Sequence, residues 1–132
     1  MSGGEAANGV PTSNGVKLAV DQANAKTGNK YKYQVTILDD AVNGTHDPAQ
    51  GAKNVQQFIS DKNTMGIVGP FNSNVAQAEI PLTNEAGLVQ ISPANTNPGL
   101  TKPPDALQLR KAKPNDVNYF RVCTTDDIQG PA

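Results

Sequence analysis

The sequence switches repeatedly between helical and strand periodicity, and this switching restricts the fold more than any single motif. Within residues 14–27, Val16, Ala19, Val20 and Ala23 recur at the spacing of one helical face. Ser13 or Asn14 is suited to cap that helix, and Gly28 to end it. Residues 33–39, YQVTILD, then alternate and are β-branched, which predicts a strand ending at Asp39-Asp40. NGTHDPAQG turns the chain into a second helix, with Asp47 as N-cap and Pro48 at the first helical position. Ala52, Val55 and Ile59 form its buried stripe, with Phe58 alongside.

The apolar run 65–68 predicts a short strand buried on both faces. A third helix follows over about 74–86, with Val75, Ala78, Leu82 and Ala86 as its stripe. Pro81 lies inside it and predicts a kink or a later start, and Gly87 ends it. Residues 88–91 predict another strand. A long irregular stretch, 92–118, carries Pro93, Pro98, Pro103, Pro104 and Pro114, and 119–123 predicts a last strand. Elements recur about every 25–30 residues, the pattern of a doubly wound, mainly parallel α/β sheet flanked by helices on both faces. The helix at the start is unusual, since such folds begin with a strand.

The chain has 132 residues, the size of one domain, and its apolar fraction of 36% allows a modest core. Its formal net charge is −1, and the small basic cluster at Arg110, Lys111 and Lys113 gives no footprint for nucleic acid. The single cysteine, Cys123, excludes an internal disulfide. No run approaches the roughly 18 apolar residues of a membrane span. The first residues, MSGGEAANGVPTSNG, lack the basic and apolar regions of a secretion signal.

Ligands of open parallel sheets bind beyond the carboxyl ends of strands. Two loops leave such ends here with small polar residues: 71–74, FNSN, and 92–98, SPANTNP. The first opens a helix, where free N–H groups, the dipole and the Ser73 hydroxyl favour an anion. The second offers a backbone carbonyl and a Thr hydroxyl, which suit an ammonium group. Together they suit the two ends of a zwitterion. Each loop alone also reads as ordinary capping, with Asn72 the natural cap. The lone His46, Cys123 on its strand and Asp126-Asp127 show no spacing for acid–base, nucleophilic or metal chemistry. The reading is therefore of a binding module, not an enzyme, with neither metal nor cofactor.

NGVKLAVDQANAKTGN, VTILDDAVNGTHDPAQGAKNVQQFI, GIVGPFNSNVAQAEIPLTNEAGLVQISPANTNPGLT and YFRVCTTDDIQG occur in an order and spacing that resembles type I periplasmic solute-binding proteins. The branch they resemble is that of the leucine/isoleucine/valine receptors of ABC transporters. The likeness spans nearly the whole chain, except about 102–118. It implies two α/β lobes joined by a hinge, with residues 1–125 as the N-terminal ligand-binding lobe and 126–132 as the start of the hinge and second lobe. It implies that Ser73, Ala94 and Thr96 grip the α-carboxylate and α-ammonium groups. Asn8 would stand where relatives place an aromatic over the ligand. The implied partners are an amino acid or similar small polar solute and a membrane permease, and the implied location is periplasmic or extracellular. The family's first strand would precede Met1-Ser2-Gly3-Gly4, so its absence predicts strand exchange or a homodimer. The alternative role on the same fold is a ligand-sensing domain of a receptor or regulator.

Overall fold

A computed structural model describes residues 2–131. The elements in order are α1 (Ala6–Ala25), a hairpin of β1 (Ala41–Val42) and β2 (Thr45–His46), α2 (Pro48–Ser60), β3 (Ile67–Val68), α3 (Ser73–Ala86), β4 (Gln90–Ser92), α4 (Asp105–Leu109), β5 (Tyr119–Arg121) and α5 (Asp126–Gln129). β3, β4 and β5 form one parallel sheet in that order, with Ile67 beside Gln90 and Gln90 beside Tyr119. The parallel α/β class predicted from the sequence is what forms. No described helix is long and apolar enough to cross a membrane.

Local chemistry accounts for the best-placed helices. Asp47 caps α2 as expected, its carboxylate accepting the Gln50 N–H at 2.7 Å, with Pro48 behind it. Gly87 ends α3 at φ 72°, a left-handed cap that glycine adopts without a side-chain clash. The turn of the β1–β2 hairpin is Asn43-Gly44, with φ of 51° and 80°. Such positive values at both centres suit an Asn-Gly turn between paired strands. α3 runs unbroken through Pro81 as a single assigned helix, so the later start allowed by the sequence does not occur.

α2 and α3 pack against each other closely enough that Gly51 admits no side chain. A Cβ there would stand 2.9 Å from Glu79 Oε1 and closer still to Val75 Cγ1. Val55, Val75, Ala76 and Ile80 are buried around this contact, and Leu100 and Tyr119 complete the core with Ala76 and Ile80. Gln90 projects to the same side from the sheet, where its amide donates to Glu79 Oε2 at 2.6 Å and to the Gly69 carbonyl at 3.2 Å. Glu79 sits buried in this setting. Burial pushes its carboxyl up to about 8, opposed by the Gln90 hydrogen bond and reinforced by the charge of Asp40.

Three expectations are corrected. Residues 33–39 pair with no strand among the described residues, because alternation expresses a local preference that only a neighbouring strand converts into a ladder. The β3 segment is not covered on both faces: Val68 is 55% exposed, and its sheet neighbours Ile91 and Phe120 are also open to solvent. α1 begins at Ala6 and not near residue 14, with Pro11 inside it, so neither Ser13 nor Asn14 is a cap. Their hydroxyl and amide sites lie mid-helix, where Ser13 Oγ donates back to the Val10 carbonyl at 2.9 Å. The predicted α1 stripe is also not a core face: of the whole helix only Gly9 is buried.

Candidate functional site

The two polar loops leave the carboxyl ends of adjacent parallel strands, β3 and β4, so the sheet brings them side by side. Three hydrogen bonds stitch one to the other. Ser92 Oγ donates to the Pro70 carbonyl at 2.8 Å, Asn95 Nδ2 donates to the Phe71 carbonyl at 2.7 Å, and the Asn97 N–H donates to Ser73 Oγ at 3.3 Å. Ser92 also accepts the N–H groups of Ala94 and Asn95, at 3.2 and 3.0 Å. Ser92 and Asn95 are fully buried, so these polar groups are satisfied inside the protein and not by solvent.

A second layer fixes the 92–97 loop from β5. The Tyr119 hydroxyl donates to Asn95 Oδ1 at 2.6 Å. Burial pushes this phenol up to about 12, against the pull of a Ser92 hydrogen bond and the Arg121 charge, so it stays neutral and remains a donor. Arg121 reaches the same loop from the end of β5. The Thr96 carbonyl accepts the N–H of Asp126, the first residue of α5, at 2.9 Å.

Of the residues singled out in the sequence, Ser73, Ala94 and Thr96 are brought into this one corner. Ser73 opens α3, and its hydroxyl oxygen accepts from Asn97. A hydroxyl carries one proton, so the Ser73 proton is left to donate elsewhere. The N–H groups of Ser73 and Asn74 belong to the first helical turn and donate to nothing among the described residues. They add the positive end of a helix of 14 residues. The Ala94 carbonyl and the Thr96 hydroxyl likewise engage no described group. Chemically the corner offers donors to an anion on one side, and an acceptor carbonyl and a hydroxyl to a cation on the other.

Asn72 departs from its expected part. It holds the N-cap position of α3 with extended backbone, but its side chain makes no capping bond. Asn74 Oδ1 takes the Val75 N–H at 3.0 Å instead, and Asn72 Oδ1 is buried without a hydrogen-bond partner among the described residues. Asn8 lies exposed in the first turns of α1, where its carbonyl accepts from Thr12 Oγ1 at 2.7 Å. No hydrogen bond joins it to either loop among the described residues. Sequence reasoning missed Ser92, Asn95, Tyr119 and Arg121 as the frame of the corner. Asn95 lay inside the flagged loop, but its complete burial depends on β5 and carries no periodic signal.

A family model described as periplasmic binding protein matches residues 1–124. The Leu/Ile/Val-binding protein homolog 2 of Brucella abortus is 35% identical over 132 residues, which is 98% of this chain and 31% of that protein. Among solved structures, the branched-chain amino acid transporter substrate binding protein LivJ from Streptococcus pneumoniae, in complex with isoleucine, superposes with a TM-score of 0.75. It is 27% identical, and the match covers 95% of this chain and 32% of that one. An ABC transporter substrate-binding protein from Desulfitobacterium hafniense, in complex with Leu, gives a TM-score of 0.70 at 25% identity, over 88% of this chain and 30% of that one. The chain thus spans about a third of the length of the relatives it matches. A family match over nearly every residue, on a parallel sheet whose strand ends carry two stitched polar loops, means that this chain belongs to the periplasmic binding proteins.

Proposed function

We propose that these residues form the N-terminal lobe of a solute receptor of an ABC transporter, and that the solute is an amino acid such as leucine, isoleucine or valine. The observation that carries the reading is the corner itself. Ser73 Oγ and the free N–H groups at the start of α3 stand on one loop, and the Ala94 carbonyl and Thr96 hydroxyl on the loop hydrogen-bonded to it. The carboxylate takes the first set and the ammonium group the second. Asn72 borders the carboxylate side, immediately before Ser73. No bond is made or broken; the solute is captured and handed to a membrane permease from the periplasmic or extracellular side. The isoleucine and leucine in the two structural relatives support the ligand class.

Residues 1–125 act as the lobe, and 126–132 lead toward a hinge. A single lobe supplies only part of the contacts, so its affinity falls in roughly the millimolar range. Self-association, by strand exchange or through the open apolar face around Val68, Ile91 and Phe120, belongs to the same proposal. A single monomeric species in light scattering counts against that part. The ligand class is tested by titrating the isotope-labelled chain with leucine, isoleucine, valine and a panel of sugars, reading amide shifts. Shifts at Ser73, Asn74 and 94–96 with the amino acids alone support the reading. Shifts with sugars only, or with nothing, overturn it.

A further inference from the structure

Arg121 stands behind the groups that face a ligand, yet it holds them in place. Its Nη1 donates to the carbonyls of Asn95 and Asn97, both at 2.8 Å, and its Nη2 donates to Thr101 Oγ1 at 2.6 Å. One planar guanidinium therefore spans three acceptors along 95–101. The Cys123 thiol donates to the same Asn95 carbonyl at 3.2 Å. The next carbonyl, that of Thr96, accepts the Asp126 N–H. Peptide groups are planar, so anchoring these two carbonyls fixes the peptide on each side of the Thr96 α-carbon. The direction of the Thr96 side chain is then set in large part by the 121–126 segment, with the Asn97 N–H bond to Ser73 Oγ holding the second of these peptides from the other loop.

We propose that Arg121 is a positioning residue for ligand binding: without touching the ligand, it sets where the Thr96 hydroxyl meets an ammonium group. The inference rests on the amino acid reading above. It also gives a role to an arginine at this point of β5. A lysine keeps the charge, but its ammonium is a point donor on a flexible stem and does not bridge three separated acceptors. Arg121 further ties the grip to the strand from which the chain leaves the sheet, so a shift of the 121–126 segment moves Thr96 with it.

The test is an NMR titration of the full isotope-labelled chain with leucine, alongside Arg121→Lys and Thr101→Val. Loss of charged hydrogen bonds weakens leucine binding by about tenfold in Arg121→Lys, and loss of one exposed acceptor weakens it about two- to threefold in Thr101→Val. In ligand-free Arg121→Lys, the amide signals of Thr96 and Asn97 shift or broaden while those of α2 stay in place. A purely structural arginine predicts a lower unfolding midpoint with unchanged leucine affinity, and that result overturns the inference. If Arg121→Lys does not fold, Thr101→Val decides, and wild-type affinity in it overturns the inference. A wild-type chain without any leucine response removes the amino acid reading and this inference together. A wild-type chain that binds, beside an Arg121→Lys variant that binds equally well, removes this inference alone.

Discussion

Replacing Glu79 by glutamine tests the interior charge balance of this lobe. Glu79 is 5% exposed on α3, facing Gln90 on β4 and the backbone of Gly51 on α2, with Asp40 as the acidic neighbour. Its carboxyl titrates near 8 in the folded protein, against 4.5 for a free glutamate. The folded state therefore keeps a proton that the unfolded chain releases. The contribution is fully present below pH 4.5, falls as pH rises, and is gone above about 8. The difference corresponds to about 5 kcal/mol across that window. Glutamine has the shape of the protonated acid and still accepts from Gln90, but it cannot ionise. Urea unfolding of both proteins from about pH 5 to about pH 9 isolates this group and its coupling to Asp40, because titrations that do not interact with Glu79 cancel in the difference. The two should be nearly equally stable at the acid end. The variant should be more stable by several kcal/mol at the alkaline end, with a flatter profile. Parallel profiles would show that Glu79 does not hold its proton, and the account of the α2–α3–β4 interior would be wrong.

Two further substitutions probe the frame and the packing. Asn95→Ala removes, at a fully buried side chain, the donor to the Phe71 carbonyl and the acceptor of the Tyr119 hydroxyl, so a loss of about 2–4 kcal/mol is expected in denaturant unfolding. An effect within experimental error would mean that the stitching of the two loops is incidental. Gly51→Ala forces a methyl group against Val75 and Glu79, and should lower stability by about 1–3 kcal/mol. A neutral result would show that α2 and α3 are not in the close contact described.

Much of the fold is legible in local chemistry. Asp47-Pro48 announces α2 and Gly87 announces the end of α3, because capping and left-handed turns are decided by neighbouring residues. Asn43-Gly44 marks a hairpin just as plainly, although the apolar pattern around it is too short to draw attention. What sequence alone does not give is pairing. Residues 33–39 carry strand chemistry, yet a strand needs a partner, and none of the described residues supplies one. Likewise the continuous apolar run at 65–68 says nothing about whether a helix covers each face, and Val68 is left open. At the site, Ser73, Ala94 and Thr96 stand out as small polar loop residues beyond strand ends. Asn95 and Arg121 do not, because their importance lies in hydrogen bonds across 24 or more residues of chain.

The proposed division of labour between the two loops is the central claim, and one comparison of ligands tests it. Leucine presents both ends, 4-methylpentanoate only the carboxylate, and leucinamide only the ammonium group. Each is titrated into the isotope-labelled chain at concentrations up to about 50 mM, as suits millimolar binding. The account predicts that 4-methylpentanoate shifts the Ser73 and Asn74 amides, that leucinamide shifts 94–96, and that leucine shifts both sets and binds most tightly. Identical shift patterns from all three ligands, or responses confined to residues away from both loops, would contradict it.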